Sequence, residues 1–371
     1  MLLSLLAPDP LLYPGGALRL APAADPVLAS EYQCLVNWFQ HGLGLDQTLM
    51  VIRTLHPELT PDEVERLRDH LGRQLPAMTA QTPPTLLPNI VAGRTANRLD
   101  LMGANYILDG ACASSAIAID NAMKDLLLDR CDLALAGGAQ ACVSPLELML
   151  FCSIGAISRH PALRPFDRNA DGTMLGEGSG ILVLKRQRDA ERDGNRIYAL
   201  VKGVGVASDG RGRGMMAPRP EGATLAMRRA FQHAEVDPPS IGLVEAHGTG
   251  IPLGDRTEIG ALRATYGARQ GRYPTTAVGS VKSNIGHCRP AAGIAGVIKA
   301  TLALYHKILP PTANCDEPNP ALELDQTRFY INTEARPWIH GNPDVPRRAS
   351  VNALGFGGID SHSILEEYRG P

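Results

Sequence analysis

The sequence predicts an α/β fold in which sheets and helices alternate in layers. From about Asn89 onward, short apolar runs alternate with amphipathic helical patterns, in two successive sets of similar size. Alternation of this kind is typical of sheets covered by helices, and its repetition indicates a duplicated, layered architecture. The 38 glycines and 29 prolines supply the tight turns that such connectivity needs.

Residues 1–86 are predicted to be an irregular N-terminal region with one helix. Prolines and glycines punctuate residues 1–50, a composition typical of loops. Thr60 and Glu63 then form a capping-box pattern, with Pro61 at the first helical position. The helix should run to about Leu75, with one apolar face composed of Val64, Leu67, Leu71 and Leu75.

Two further regions carry the α/β pattern, residues 87–195 and residues 196–371. Periodicity predicts each element by its apolar spacing, and glycine or proline marks the ends. In the first region we expect a buried strand at 106–108, a helix at 114–129, a buried strand at 133–136 that stops at Gly137-Gly138, a strand at 180–184 and a charged connector at 185–196. In the second we expect strands at 197–208, 241–245 and 276–281, helices at 221–235, 255–267 and 289–306, and antiparallel strands at 350–353 and 363–366 around a turn at Gly355–Gly358.

Cys112 has the most informative local context. It stands among small residues between the predicted strand at 106–108 and the predicted helix that follows. A thiol near a helix N-terminus is favoured as a thiolate by the free backbone N–H groups and the helix dipole. This arrangement corresponds to a nucleophile elbow with sulfur as the attacking atom. A buried, inert cysteine in an Ala/Ser-rich packing site is the alternative.

Two histidines favour the catalytic interpretation of Cys112. His247 follows the apolar run 241–244 and precedes a Gly-Thr-Gly turn, and His287 follows the strand-like run 277–282. Both are therefore expected where a strand ends and a loop begins, which is where open α/β sheets place their functional groups. A cysteine nucleophile with two imidazole partners is the expected site.

These motifs resemble those of the β-ketoacyl synthase domains of polyketide and fatty-acid synthases, in the thiolase superfamily. The resemblance covers about residues 87–367, in the family's order and with similar spacing. The segment Ala111–Ser115, with Asn97–Asp100 upstream, is most similar to multidomain polyketide or polyunsaturated-fatty-acid synthases. Further matching motifs are Arg164-Pro165-Phe166-Asp167, Gly176–Gly180 before Leu182–Lys185, and Leu354–Gly358.

The resemblance implies a fold of two βαβαβ halves stacked as αβαβα layers. It also implies an opening strand rich in Ile and Val that ends in glycine, which we do not find before Pro14. The region ahead of Cys112 is shorter than the family pattern, so the first strand of the N-terminal half is expected to be missing. A chain lacking that strand should be poorly soluble or weakly active alone.

The resemblance also implies roles for further residues. Lys282 would orient the histidines, with a surface lysine as the alternative. Phe356 would gate the acyl pocket and provide an oxyanion-hole N–H, with a plain core aromatic as the alternative. Asp255 and Glu258 would support the His247 loop, or else serve as acids at a helix N-terminus. Substrate would be contacted by Thr249, Asn284, Gly357 and Gly358.

The implied reaction is decarboxylative Claisen condensation, in which Cys112 accepts an acyl group and a malonyl-type thioester supplies the carbanion. Its partners would be an acyl carrier protein, which brings the phosphopantetheine arm, and a second copy of the chain in a homodimer. No metal or cofactor bound by this chain would be needed. The alternatives are a non-elongating partner of the chain-length-factor type, an inactive fragment that serves as an acyl-binding partner, and a scissile thiolase.

Composition excludes several other classes of function. A net charge of −2 gives no reason to expect a nucleic acid or an anionic membrane surface as partner. No apolar stretch approaches the length of a membrane span, and residues 2–7 are too short for a signal peptide and lack a basic segment. None of the seven cysteines forms a Cys-x-x-Cys pair, so we expect reduced thiols in a cytoplasmic protein without a metal site. Residues 167–178 lack the acid that a calcium loop needs at its twelfth position.

Overall fold

The computed structural model describes residues 49–50, 52–53, 57–74, 87–141, 143, 145–212, 214, 218–269, 271–340, 342 and 344–370. Two compact units form, one within Met1–Asn105 and Ser144–Ser153, the other within Tyr106–Val143 and Ile154–Pro371. The predicted domains 1–86, 87–195 and 196–371 stay a prediction. No helix among the described residues is both long and apolar enough to cross a membrane.

The five predicted helices are present with similar bounds, whereas the helices at 89–98, 145–153 and 282–285 were not predicted. The predicted helix at 114–129 ends at Leu127, and the one at 255–267 begins at Pro252. The charged connector at 185–196 contains a short helix that its sequence pattern did not predict. In chain order the helices are α1 (Pro61–Gln74), α2 (Asn89–Arg98), α3 (Ser114–Leu127), α4 (Pro145–Ser153), α5 (Gln187–Arg192), α6 (Pro220–Ala234), α7 (Pro252–Tyr266), α8 (Lys282–Ile285) and α9 (Ala292–His306).

The strands of the described residues form one mixed sheet of six strands and two pairs. The six-stranded sheet has the order β3-β10-β9-β4-β5-β7, and the pairs are β1-β2 and β6-β8. The strands are β1 (Ala134–Gln140), β2 (Gly178–Leu184), β3 (Leu200–Ser208), β4 (Leu243–Glu245), β5 (Thr276–Gly279), β6 (Ile308–Leu309), β7 (Phe329–Ile331), β8 (Arg336–Pro337), β9 (Arg348–Gly355) and β10 (Ile359–Glu366).

The first unit contains α1, α2 and α4. Helix α1 begins with the predicted capping box: the Thr60 N–H donates to Glu63 Oε2 at 2.9 Å, and the Glu63 N–H donates back to Thr60 Oγ1 at 3.4 Å. Val64 and Leu67 on its predicted apolar face are buried. Leu75 and residues 1–48 of the loop predicted at 1–50 lie outside the described residues, and the prediction was wrong at residues 49–50, which are helical.

The six-stranded sheet is the centre of the second unit. Strand β4 runs parallel to β5 and β9, whereas β10 is antiparallel to both β3 and β9. The predicted antiparallel pairing around Gly355–Gly358 is therefore confirmed. Because side chains alternate along a strand, Val244 packs with α6 and α7 on one face and Leu243 packs with α9 on the other.

Helices α3 and α9 lie between the six-stranded sheet and the β1-β2 pair. Ile119 of α3, Ile294 of α9 and Ala136 of β1 share one buried apolar cluster with residues of the large sheet. The second unit thus stacks helices, sheet, helices and a second sheet. On the far side of that second sheet, Ile181 and Val183 are 62% and 67% exposed, so a fifth layer is not seen among the described residues of this unit.

Two local predictions in the first α/β set were wrong. Residues 106–108 form no strand, and Tyr106 and Ile107 are about half exposed, because no described strand lies beside them to complete a hydrogen-bonded ladder. Gly137 and Gly138 continue β1 instead of ending it. A Cβ at 137 would lie 2.0 Å from the Gly180 carbonyl oxygen, so glycine permits β1 and β2 to approach.

Candidate active site

Cys112 lies in a short helical turn, Ala111–Ala113, that leads directly into α3. Ala111 has a φ of 49°, a left-handed conformation that is strained for any residue with a Cβ. Asp109 Oδ1 accepts the Ala111 N–H at 2.8 Å, and Ser114 Oγ accepts the Gly110 N–H at 3.0 Å. The elbow predicted from sequence is therefore present, although the strand predicted before it is not.

His287 faces the thiol. Its Nε2 lies 3.1 Å from Cys112 Sγ, and both side chains are buried. The backbone holds this position, because the His287 N–H donates to the Met174 carbonyl at 2.7 Å and its carbonyl accepts the Gly176 N–H at 3.1 Å. A Cβ at Gly176 would lie 2.1 Å from the Ile285 carbonyl oxygen, so the close pairing needs glycine there.

His247 stands beside His287, with ring centroids 5.3 Å apart and planes at 90°. It follows the end of β4, and its Nδ1 accepts the backbone N–H of Leu354 at 3.3 Å. This contact fixes the neutral tautomer with hydrogen on Nε2, so the free side of the ring is a hydrogen-bond donor.

Two buried carboxylates hold the loop that carries His247. Glu258 accepts the backbone N–H groups of His247 and Gly248 at 2.7 and 2.9 Å. Asp255 accepts those of Thr249 and Gly250, and through its other oxygen the N–H of Phe166 at 2.8 Å. Both carboxylates lie on α7, so this helix is fixed to the loop and to Phe166 by five backbone donors.

Burial dominates the electrostatics of the site. Desolvation raises the pKa of the Cys112 thiol, against the opposing effects of the Lys282 charge and the Phe356 backbone N–H. Burial, reinforced by Lys282, lowers the pKa of His247 and of His287 well below the usual range. Cys112 and His287 are therefore a neutral thiol and a neutral imidazole near pH 7, with Lys282 as the nearby cation.

Lys282 is 3% exposed, so the surface-lysine alternative was wrong. Burial lowers its pKa, whereas the carboxylates of Glu245 and Glu258 favour the charged form. Burial also raises the pKa of Asp255 to about 7 and raises that of Glu258. The charge of Arg289, which is also buried, acts on Cys112 and His287 in the same direction as that of Lys282, so the site holds two buried basic side chains as well as the buried acids Asp255 and Glu258.

The other predicted residues differ in their placement. Phe356 is 36% exposed, so it is not a plain core aromatic, and its backbone N–H donates to Cys112 Sγ. Thr249 is buried in the His247 loop. Asn284 and Gly357 are exposed, and Gly358 is partly buried. The structure brings Cys112, His247, His287, Lys282 and the Phe356 N–H together and leaves Asn284 and Gly357 at the surface.

A buried polar chain lies behind Glu258, and the sequence motifs did not predict it. Asn352 Nδ2 donates to Glu258 Oε1 at 2.6 Å, and Asn352 Oδ1 contacts His362 Nδ1 at 2.5 Å. The Tyr266 hydroxyl then lies 3.1 Å from His362 Nε2 and 2.7 Å from Ser350 Oγ. One signal in the sequence could have indicated this chain. Asn352 and His362 are polar residues in the two strands predicted to pair around Gly355–Gly358, and they stand opposite each other in the observed register.

No group of three or more His, Cys, Asp or Glu side chains within the described residues could hold a metal ion. The free cysteines that the structure describes differ in environment: Cys112, Cys288 and Cys315 are buried, Cys131 is partly buried and Cys152 is exposed. Cys288 follows His287, but its sulfur contacts the backbone carbonyl of Glu177 at 3.4 Å. Among these five described cysteines, Cys112 is the one that meets both an imidazole and a backbone N–H at its sulfur.

Comparison with known families matches this architecture. Residues 58–190 match the N-terminal domain of β-ketoacyl synthases, and residues 198–316 match their C-terminal domain. The chain belongs to the β-ketoacyl synthase family, which confirms the resemblance and the fold class that the motifs predicted.

Two of the similar proteins are much longer synthase polypeptides. A polyunsaturated fatty acid synthase polypeptide of Thraustochytrium sp. is 44% identical over 292 residues, which are 76% of this chain and 10% of that protein. The erythronolide synthase EryA3 of Saccharopolyspora erythraea is 42% identical over 279 residues, which are 75% of this chain and 9% of that protein.

A solved ketosynthase, from module 6 of the bacillaene synthase of Bacillus subtilis 168, superposes with a TM-score of 0.74 at 38% identity. The match covers 76% of this chain and 50% of that one. The chain therefore spans about half of the solved ketosynthase that it matches, and a small part of the two synthase polypeptides.

Proposed function

We propose that this chain is a β-ketoacyl synthase that joins an acyl group to a malonyl-type thioester by decarboxylative condensation. One observation carries the proposal: His287 Nε2 lies 3.1 Å from Cys112 Sγ, and His247, whose Nδ1 accepts the Leu354 N–H, stands beside His287. A nucleophile and two neutral imidazoles are the groups that this chemistry needs, since the loss of CO₂ generates the carbanion without a strong base.

The first step acylates Cys112. Its proton passes to His287 Nε2, and the thiolate attacks the carbonyl carbon of an acyl thioester. The backbone N–H groups of Cys112 and Phe356, which both favour negative charge at this sulfur, are placed to stabilise the oxyanion that forms. The carrier's sulfur leaves and takes the proton from His287, so the step is balanced as a transfer of the acyl group.

The second step uses the histidines. The bond between the malonyl α-carbon and its carboxylate breaks, CO₂ leaves, and the electron pair delocalises onto the thioester oxygen. The Nε2–H of His247 stabilises that oxygen by a hydrogen bond. His287 does the same in the neutral tautomer with its hydrogen on Nε2, which is open to the ring once Cys112 is acylated and no longer donates a proton to that nitrogen. The neutral state that burial gives both rings suits them as donors that keep their protons.

The third step forms the product. The enolate carbon attacks the acyl-Cys112 carbonyl, and the tetrahedral intermediate collapses to a β-ketoacyl thioester and the Cys112 thiolate. The thiolate then takes a proton from solvent. One acyl thioester, one malonyl thioester with its carboxylate ionised and one proton thus give one β-ketoacyl thioester, CO₂ and a free carrier thiol.

The partners follow from this chemistry. We propose that an acyl carrier protein delivers both thioesters on a phosphopantetheine arm, with Thr249 in the buried His247 loop as its contact and Asn284, Gly357 and Gly358 towards the entrance. The homodimer and the cytoplasmic location expected from the sequence remain part of the proposal. The synthases to which the chain is similar are consistent with this assignment.

The test is direct condensation. Purified protein is given a hexanoyl-loaded carrier and a malonyl-loaded carrier, and the β-ketoacyl product is detected by mass spectrometry. The expected result is the new product with release of CO₂, and its absence in the Cys112→Ala variant. Product formation that persists in Cys112→Ala would refute the proposed nucleophile.

A further inference from the structure

We propose that Asp209 and Asp360 share a single proton, and that this pair is a positioning device for the turn that presents the Phe356 N–H to Cys112. The inference rests on the proposed function, because the turn matters through its place at the thiol. Neither aspartate touches the reacting atoms.

The geometry places the two carboxyl groups against each other. Asp209 follows the end of β3, and Asp360 is the second residue of β10. A Cβ at Gly222, in the first turn of α6, would lie 2.3 Å from Asp209 Oδ1 and 2.6 Å from Asp360 Oδ2. The two oxygens therefore converge on one point, and the absence of a side chain at Gly222 leaves room for both.

No hydrogen-bond donor of the described residues reaches either of these two buried oxygens. Two ionised carboxylates in contact would repel, whereas one proton makes one oxygen a donor and the other an acceptor. Burial raises the pKa of Asp360 to about 8, and the charge of Asp209 acts in the same direction. The proton that the geometry requires is thus retained at neutral pH.

The charged side chains that the structure describes around the pair do not supply a substitute for this proton. Arg219 is a nearby cation, but its guanidinium donates to the backbone carbonyl of Asp209 at 2.7 Å and pairs with Glu221. Its backbone N–H reaches Asp209 Oδ2, the other oxygen of that carboxyl group, at 3.3 Å. Glu258 is the further charged group near Asp360, and it also favours the protonated form.

The pair is joined to the turn by the backbone. The Asp209 N–H donates to the Gly358 carbonyl at 2.9 Å, and the Gly358 N–H donates to the Gly355 carbonyl at 3.2 Å. Phe356 lies between these two glycines, with its N–H on Cys112 Sγ. Asp209 is partly exposed whereas Asp360 is 4% exposed, so repulsion would drive Asp209 outward and carry Gly358 with it.

This arrangement predicts a division between the two half-reactions. Loss of the shared proton should impair acylation of Cys112, which uses the Phe356 N–H, and should spare malonyl decarboxylation, which uses the histidines. The variant Asp360→Asn places an amide N–H where the proton was. It should keep the contact with Asp209 at every pH, because an amide does not titrate in this range.

The experiment measures the rate of Cys112 acylation by hexanoyl-pantetheine between about pH 6 and about pH 10, with the label mapped by mass spectrometry. Ionisation of Cys112 raises the rate with pH in all variants alike, so the effect is read as a ratio: relative to Asp360→Asn and Asp209→Asn, wild type should lose about tenfold per pH unit above about pH 8. Asp237→Asn, at an exposed aspartate, is the matched control and should behave as wild type.

The outcomes separate the inference from the proposed function. If wild type carries no label on Cys112 at any pH, Cys112 is not the nucleophile. The proposed function then fails, and so does the positioning role of the turn, which depends on it. If the rate of Cys112 acylation has the same pH dependence in wild type and in Asp360→Asn, the shared proton is overturned and the proposed function is not affected. Malonyl decarboxylation, measured in a Cys112→Gln background, should be unchanged by Asp360→Asn across the range. A parallel loss of decarboxylation would show a general structural role and overturn the positioning role.

Discussion

His287 Nε2 lies 3.1 Å from Cys112 Sγ, although 175 residues separate the two side chains in the chain. One is carried by the turn before α3 and the other by the loop after α8, and both are buried. The backbone pairing of His287 with residues 174–176 fixes its side of the contact. The packed fold brings these two distant side chains together. The reactivity of Cys112 should therefore depend both on the turn before α3 and on the backbone pairing that holds His287.

Cys112 should be the sole site of acylation. Incubation with an acyl thioester should label Cys112 in the wild type and leave Cys112→Ala unlabelled, because the other described cysteines lack an imidazole at the sulfur. Peptide mapping by mass spectrometry makes the measurement. Cys288→Ala is the matched control and should keep the label. Label found on Cys152 or Cys288 in the wild type would contradict the assignment.

The histidines should be separable from the thiol. Malonyl decarboxylation should persist in Cys112→Gln, since both imidazoles remain. It should fall by about 10²–10³ in His247→Ala and in His287→Ala, as expected for loss of one hydrogen bond to a developing oxyanion. The measurement is release of labelled CO₂. An equal loss in all three variants would mean that the roles are not divided in this way.

Lys282 should set the pH dependence of the thiol. Its charge opposes the effect of burial on Cys112, so Lys282→Met should raise the pKa of Cys112 further. The alkylation rate by iodoacetamide, followed against pH, should then rise at a pH higher by about one unit or more. Lys202→Met, on β3, should leave the curve in place. An unshifted curve in Lys282→Met would show that this charge does not act on the sulfur.

Tyr266 should support the site through stability. The variant Tyr266→Phe removes the hydroxyl that contacts both His362 and Ser350, and leaves those buried groups short of a partner. The free energy of unfolding in urea should fall by about 1–3 kcal/mol. Tyr273→Phe, at a side chain that is 68% exposed, should change it by less than about 0.5 kcal/mol. Equal effects of the two variants would argue against the buried network.

Asp360 should make stability depend on pH. Its folded pKa, raised to about 8 by burial, lies above the unfolded value of 3.8. The folded state therefore binds the extra proton, and the stability that this gives is complete below about pH 4 and lost as pH rises through about 8. Between about pH 4 and about pH 8, the free energy of unfolding of Asp360→Asn should fall less than that of wild type, by about 1 kcal/mol or more. Chemical denaturation at a series of pH values makes the measurement. Parallel stability profiles for the two proteins would contradict the raised pKa.

Much of the fold was predictable because it depends on local pattern. The capping box of α1, the helices with strong apolar periodicity and the antiparallel pair β9-β10 were all predicted. Each is encoded by residues close together in the chain. The strand at 106–108 was predicted from the same kind of pattern, but an apolar run becomes a strand only when a neighbour completes its ladder.

The sequence by itself determined the family, the local motifs of Cys112, His247 and His287 on which the proposed site rests, and most of the elements that carry them. Tertiary structure alone decided that Lys282 is buried, that Asn352, His362 and Tyr266 stand in line behind Glu258, and that Asp209 meets Asp360 beside Gly222. The physical reason is that motifs record local backbone requirements. Desolvation, strand register and contacts between distant carboxylates arise only when separate segments pack together and exclude water.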